Sequence, residues 1–125
     1  MNSTIMAYIN KLEGYRIRTR ECHWDAPNMS LHKLCDDIMS DLEDYEDEIA
    51  EDAQGLYGQI KIGMLVPILP EAIDLESMLV ALRKDTAFLL KVLKEIKFTG
   101  IVNILEEMVH KINQWIYLER IAAKG

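Results

Sequence analysis

One histidine and three carboxylates between residues 32 and 51 are spaced so that they can bind a metal ion. His32 and Asp36 are four residues apart, and so are Asp47 and Glu51. Residues four apart in an α-helix are neighbours on its surface. An imidazole nitrogen combined with several carboxylate oxygens suits Fe(II), Mn(II) or Zn(II) better than a metal that prefers thiolates.

The segment that carries these residues has the apolar spacing of one long helix. Its apolar side chains recur every three or four residues, at Leu31, Leu34, Ile38, Leu42, Tyr45 and Ile49. At about 100° per residue they form one stripe, and the four candidate ligands fall in an arc of roughly 100° centred away from it. The pattern predicts a helix over residues 31–54 with separate core and ligand faces. Asn28 or Ser30 is its expected N-cap, and Gly55 its expected end.

The two pairs of candidate ligands are too far apart to share an ion within one helix. Asp36 and Asp47 are eleven residues apart, which is about 16 Å along the axis, whereas metal–ligand distances are about 2 Å. A two-fold, antiparallel copy of the helix, in a register centred between residues 41 and 42, sets Asp36 opposite Asp47 of the partner subunit. The same register sets His32 opposite Glu51, so the spacing predicts a homodimer with two mixed histidine–carboxylate clusters.

The order of residues in this stretch resembles the Dps-type mini-ferritins, the DNA-protection branch of the ferritin-like superfamily. It reads H-W at 23–24, a short loop, L-H-x-x-x-D at 31–36, ten residues, and D-x-I-A-E at 47–51. The resemblance implies a ferroxidase centre between two-fold-related subunits, bordered here by Trp24. The ligands that it implies are His23, His32 and Asp36 from one chain and Asp47 and Glu51 from the other.

The resemblance also implies a function. It implies that iron is bound as Fe(II), oxidised by hydrogen peroxide or dioxygen, and stored as Fe(III) in a dodecameric shell, which protects against oxidative damage. Zinc or manganese are the alternative metals, and Asp41, Asp44 and Glu48 are candidates for lining the interior or a pore. Two other functions stay open. One is a di-metal oxidoreductase or peroxidase on the same bundle without iron storage. The other is a structural helical oligomer without a catalytic metal.

The rest of the chain predicts three more helices around this one. Apolar spacing predicts them over residues 4–24, 72–97 and 101–122. The 17 residues of 55–71 include three Gly and two Pro, and in extended form they reach about 56–61 Å, against about 36 Å for a 24-residue helix. We therefore expect a long crossover between helices 2 and 3. The sequence predicts an all-α fold, a ferritin-like four-helix bundle with this crossover, as a single domain over residues 1–125.

The same spacing predicts which side chains of the third helix face the core. They are Leu75, Leu79, Leu82, Leu89, Leu93 and Ile96.

The charge distribution bears on the partners of the chain. The net charge is −7, and residues 36–52 hold ten Asp and Glu with no Lys or Arg. Such a run is either a solvated acidic face or a surface that gathers cations. A chain without a Lys/Arg-rich tail is a poor partner for phosphate backbones. We therefore do not expect DNA binding. The modest basic patch of the first helix, Lys11, Arg16, Arg18 and Arg20, can face the acidic helix.

Targeting signals are not evident in the sequence. No apolar stretch approaches the roughly 18 residues of a membrane span. The first 15 residues lack the basic and apolar regions of a secretory signal. These features predict a cytoplasmic protein without a membrane partner.

Two further groups of residues, a Glu/His pair and the two cysteines, are interpreted as structural and not as metal or redox sites. Glu107 and His110 have the Glu-x-x-His spacing of di-iron bundles, but they lie roughly opposite the apolar stripe of their helix, so we interpret His110 as a surface or interface residue. Cys22 and Cys35 each lie beside a candidate ligand. We interpret them as small buried side chains, with a redox pair as the alternative.

Overall fold

Four α-helices make up most of the chain in the computed structural model, which describes residues 1–125. They span Ser3–Asp25 (α1), Met29–Tyr57 (α2), Leu75–Glu95 (α3) and Thr99–Ala123 (α4). The chain contains no β-strand. The prediction of an all-α four-helix bundle is therefore confirmed.

Each helix packs against two antiparallel neighbours. α1 lies against α2 and α3, and α4 lies against the same two helices. Tyr8 near the start of α1 hydrogen-bonds to Thr86, whereas Thr19 further along α1 contacts Met78. α1 and α3 therefore run in opposite directions, as do α1 and α2 across their short turn. It follows that α2 and α3 are parallel.

Residues 58–74, here called the strap, join these two parallel helices and run along the side of α1. The backbone N–H of Val66 donates to the side-chain oxygen of Asn10 at 3.0 Å. The backbone N–H of Ile68 donates to the backbone carbonyl oxygen of Asn10 at 2.9 Å. Further along, Arg18 donates to the carbonyl of Pro70 at 3.4 Å. α1 is thus fixed between α2 and the strap.

Gly14 allows the strap to approach α1 so closely. The residue is buried, and a Cβ built on it would overlap the backbone carbonyl of Ile68. Glycine weakens a helix interior by about 1 kcal/mol relative to alanine. Here the absence of a side chain is what lets the two backbones come into contact.

α2 is longer at both ends than the apolar spacing predicted. It begins at Met29, after Asn28, whose side-chain oxygen accepts a backbone hydrogen bond as the N-cap. It continues through Gly55, which faces open space. The helix ends instead at Gly58, whose φ of 89° lies in the left-handed region that glycine adopts without strain.

α3 is shorter than predicted. It begins at Leu75 rather than at residue 72, because the Asp74 side chain accepts a backbone hydrogen bond from the first turn and caps the helix. Beyond its other end, Lys97 with a φ of 58° reverses the chain. The assignment of Ile96 to the core was wrong, because this residue lies past the last turn and is 56% exposed.

One apolar core lies along the axis of the bundle, with side chains from all four helices. Each fully buried aliphatic side chain contributes about 1.5–3 kcal/mol. The stripe predicted for α2 is buried except for Tyr45, which is half-buried. None of the four helices has a segment both long enough and apolar enough to cross a bilayer. Because the apolar stripe of α2 faces the core, the ligand face of this helix lies outside the core.

Candidate metal centre

The structure brings three of the five predicted ligands together at the corner between α1 and α2. His23 lies in the last turn of α1, His32 in the first turn of α2, and Asp36 one turn further. The donor atoms of the three side chains lie within 4.8 Å of one another. Two imidazoles are half-buried and the carboxylate is exposed, so the cluster is open to ions from solution.

Reciprocal hydrogen bonds orient the two imidazoles. Nδ1 of His23 lies 2.9 Å from the carbonyl oxygen of His32, and Nδ1 of His32 lies 2.9 Å from the carbonyl oxygen of His23. A carbonyl oxygen only accepts, so both Nδ1 atoms carry hydrogen and donate. In the neutral rings this leaves both Nε2 atoms with a lone pair for a metal.

Local structure explains why the corner forms here. Pro27 cannot continue α1, and the last carbonyl groups of a helix, including that of His23, need partners from outside it. The His32 ring supplies one such partner. The Asn28 side chain also donates to the carbonyl of Ala122 in α4 at 3.1 Å. The turn is therefore fixed both to its own helices and to the C-terminal end of α4.

The two rings are stacked, which affects how they can bind an ion. Their centroids are 3.7 Å apart and their planes differ by 26°. The Nε2 lone pair lies in the ring plane, so two nearly parallel rings do not direct both lone pairs at one point. The carboxylate oxygen of Asp36 lies 3.4 Å from Nδ1 of His23, on the side of the ring that carries the hydrogen and not beside the Nε2 lone pair. Joint coordination of one ion by His23 and His32 therefore requires the rings to splay apart.

The other two predicted ligands do not join this cluster within one chain. Asp47 and Glu51 lie on the same helix, exposed to solvent, and Asp47 is about 16 Å from Asp36 along the axis. Completion of the cluster by these residues from a second chain stays a prediction.

A cavity of about 580 Å³ opens on the flank between α1 and α2, next to the corner. Trp24 lies at this cavity and is 72% exposed, so a large apolar surface faces solvent beside the candidate ligands. The flank thus combines charged groups with apolar surface that a second subunit can cover. The residues that line the cavity are Glu13, Arg16, Ile17, Arg20, His23, Trp24, Asp36, Met39, Ser40 and Glu43.

A second charged group, which the sequence did not predict, lies in the same flank. This Arg16 cluster consists of Glu13, Arg16, Glu43 and Glu46. Nη1 of Arg16 lies 2.8 Å from Glu13 and 3.6 Å from Glu46, and Nη2 lies 3.6 Å from Glu43. Glu46 is only 7% exposed. A signal for its burial does exist in the sequence, because it lies one turn after Leu42 and therefore on the apolar stripe.

Burial, together with a hydrogen bond to Glu13 and the charge of that residue, raises the pKa of Glu46 to about 8, while Arg16 acts in the opposite direction. The ordinary pKa of a Glu side chain is 4.5. Between these two values the folded chain holds a proton that the unfolded chain has lost. The free energy of unfolding therefore falls as the pH rises through this window.

Replacing Glu46 by glutamine, which mimics the protonated carboxyl, tests this conclusion. We expect Glu46→Gln to leave the free energy of unfolding nearly unchanged at pH 5 and to raise it by roughly 1–3 kcal/mol at pH 8.5. Urea denaturation at the two pH values measures both quantities. The control is Glu43→Gln, an exposed carboxylate beside the same arginine, which should change stability by less than about 0.5 kcal/mol. A gain for Glu46→Gln that is equal at both pH values would contradict the assignment.

Cys22 and Cys35 lie near the corner as free thiols. Cys35 is buried, and burial raises its pKa to about 12. Cys22 is half-buried, with its thiol 3.7 Å from the carbonyl of Ile73, and burial raises its pKa as well. Because the thiolate is the reactive form, both thiols have surroundings that suppress reactivity.

The Glu-x-x-His pair of α4 lies away from the core, as predicted. Glu107 and His110 are both exposed, and Glu107 accepts a hydrogen bond from the hydroxyl of Tyr45 at 3.4 Å. Neither residue belongs to the cluster at the corner. The candidates for lining an interior or pore, Asp41, Asp44 and Glu48, share a cavity of about 250 Å³ with Tyr45 and Glu107 in the single chain.

Comparison with known proteins gives a family for this chain. No curated protein and no solved structure matches it significantly. A family model does match residues 23–118, a range that contains all five predicted ligands and most of the bundle. The chain therefore belongs to the family of unknown function DUF5856.

Proposed function

We propose that the protein is a mini-ferritin of the Dps type, which binds Fe(II) between two-fold-related subunits, oxidises it and stores the product. The observation that carries this proposal is the cluster of His23, His32 and Asp36, in which both imidazoles are oriented by backbone carbonyls with Nε2 available. Oriented histidines whose other nitrogen donates a hydrogen bond are typical of metal ligands.

The topology of the bundle supports the same proposal. A long crossover that makes the second and third helices parallel is the connection of ferritin-like bundles. We accordingly propose that this four-helix bundle is of the ferritin-like type.

The proposed centre is completed by a second subunit. The ligand face of α2 is exposed, and with a register centred between residues 41 and 42 it presents Asp47 and Glu51 to the three-residue cluster of the other chain. Each dimer then has two centres with two nitrogen and several oxygen donors, a set that fits iron, manganese or zinc. The dodecameric shell, the Fe(III) store and the cytoplasmic location belong to this proposal.

The residues of the chain have distinct roles in the proposed reaction. Iron is the substrate, and its electrons pass to hydrogen peroxide or dioxygen. His23 and His32 bind through Nε2 once the stacked rings splay apart, and the backbone carbonyl of the opposite histidine orients each ring through Nδ1. Asp36, with Asp47 and Glu51 of the partner subunit, supplies anionic oxygens. These oxygens favour Fe(III) over Fe(II), because a hard, more highly charged ion gains more from carboxylate ligands.

Anaerobic titration with Fe(II), followed by addition of peroxide with optical detection of iron oxidation, tests the proposal. We expect saturable binding of about one or two irons per chain and oxidation roughly 100-fold faster than in the Asp36→Ala/Asp47→Ala double variant. The matched control is Asp37→Ala/Asp52→Ala, which removes two exposed carboxylates of α2 outside the ligand face and should oxidise iron normally.

Two outcomes separate the proposal from its alternatives. Oxidation in the wild type no faster than in buffer would refute a ferroxidase and leave a helical oligomer. Rapid oxidation without growth of an Fe(III) mineral would favour a di-metal oxidoreductase that does not store iron.

A further inference from the structure

The Arg16 cluster lies in the flank between α1 and α2, separate from the histidine corner. Glu13 and Arg16 project from α1, and Glu43 and Glu46 project from α2. Three carboxylates surround one guanidinium, so a single positive charge faces three acidic groups. Glu13, Arg16 and Glu43 also line the cavity of about 580 Å³, which gives ions a route to the cluster.

Arg16 satisfies only one of these carboxylates with good geometry. Its contact of 2.8 Å is with Glu13 on the same helix. The contacts with Glu43 and Glu46 on α2 are both 3.6 Å, longer than the 2.7–2.9 Å that is typical of charge-assisted hydrogen bonds. The carboxylates of α2 are therefore near a positive charge but not bound by it.

Glu46 provides an independent indication that a ligand is missing from this pairing. Its side chain is 9% exposed, and its Oε1 atom, which points at Arg16, has no hydrogen-bond partner. Nε of Arg16 is likewise buried without a partner. A buried polar atom without a partner typically costs about 1–3 kcal/mol, and more when the group is charged, so the arrangement is poorly satisfied.

We propose that Glu13, Glu43 and Glu46 form a second cation site, in which Arg16 occupies the place of a divalent ion. The donors are all carboxylate oxygens, which suit hard cations such as Mn²⁺, Mg²⁺ or Ca²⁺ and distinguish this site from the histidine corner. An ion bound there would coordinate the orphan oxygen of Glu46 directly. Arg16 would move into the adjoining cavity, which its side chain already lines.

This proposal makes an unusual prediction for Arg16. If the guanidinium competes with the ion, its removal must strengthen cation binding at this site. We expect Arg16→Gln to raise the affinity for Mn²⁺ roughly tenfold, because a positive charge a few ångströms from the ion is removed. Glu13→Gln/Glu46→Gln should lower the affinity by roughly tenfold or more.

Titration with Mn²⁺, followed by electron paramagnetic resonance of the free ion, measures these affinities. All variants carry the Asp36→Ala/Asp47→Ala background, so that the histidine corner does not contribute, and helix content and thermal midpoint without Mn²⁺ verify folding. The exposed pair Glu21→Gln/Glu48→Gln is the control for the loss of two negative charges, and it should leave the affinity within about twofold.

The measured affinities decide the proposal without reference to iron oxidation. An affinity that rises in Arg16→Gln and falls in Glu13→Gln/Glu46→Gln supports the second cation site. An affinity that is unchanged or lower in Arg16→Gln overturns it, even if the glutamate variants do not fold. Since the site does not depend on the ferroxidase proposal, either one can fail while the other stands.

Discussion

Equal amounts of Asp36→Ala and Asp47→Ala subunits, co-refolded, should recover about a quarter of the wild-type rate of iron oxidation, although each variant alone loses roughly 100-fold. The reason is the two-fold symmetry of the proposed dimer. In a mixed dimer, one centre lacks both carboxylates, while the other takes Asp36 from one chain and Asp47 from the other. About half of the randomly paired dimers are mixed, and each has one intact centre of two.

The rate of oxidation after peroxide addition, measured against the mixing ratio, tests this expectation. Mixtures of Asp36→Ala with the Asp36→Ala/Asp47→Ala double variant are the control, because no pairing of these chains contains an intact centre. Recovery that is absent from both mixtures, with mixed dimers demonstrated by mass spectrometry, would place each centre within a single chain. That result is difficult to reconcile with the distance of about 16 Å between Asp36 and Asp47 along α2.

Gly14→Ala is expected to destabilise the protein by roughly 2–4 kcal/mol, although the same change in an ordinary helix stabilises by about 1 kcal/mol. The added methyl group would overlap the carbonyl of Ile68, so the strap must move away from α1. The two backbone hydrogen bonds that Val66 and Ile68 donate to Asn10 would then be weakened or lost.

Urea denaturation gives the size and the sign of this effect. Gly55→Ala in α2 is the matched control, because no atom lies within 4 Å of a Cβ at that position. It should stabilise the protein by about 0.5–1 kcal/mol. A Gly14→Ala variant that is as stable as Gly55→Ala would show that the strap does not pack against α1 in solution.

Much of the bundle could be predicted because the spacing of apolar residues along the sequence shows which face of each helix is buried. The stripe of α2 from Leu31 to Ile49 lies in the core apart from Tyr45. The ends of the helices were harder to predict from the sequence, because the backbone conformation of a single residue decides where a helix ends. Gly55 and Gly58 are both glycines near the end of α2, but only Gly58 adopts a positive φ.

The candidate site was predictable to the extent that it depends on local spacing. His32 and Asp36 are neighbours on any helix, and the turn after α1 brings His23 to them. The ring orientation was not predictable, because it depends on backbone carbonyls whose direction the sequence does not reveal. The burial of Glu46 was not predicted, because it is one of ten acids in residues 36–52, although its position one turn after Leu42 places it on the apolar stripe.

The way in which the two histidines are held has a consequence for how this corner can vary in evolution. Each imidazole is anchored to the main chain of the other histidine, not to its side chain. Substitution of either residue removes one donor but keeps the carbonyl that orients the remaining ring. Mutations can therefore change the ligand set one residue at a time, and with it the preferred metal, while the architecture of the corner is inherited intact.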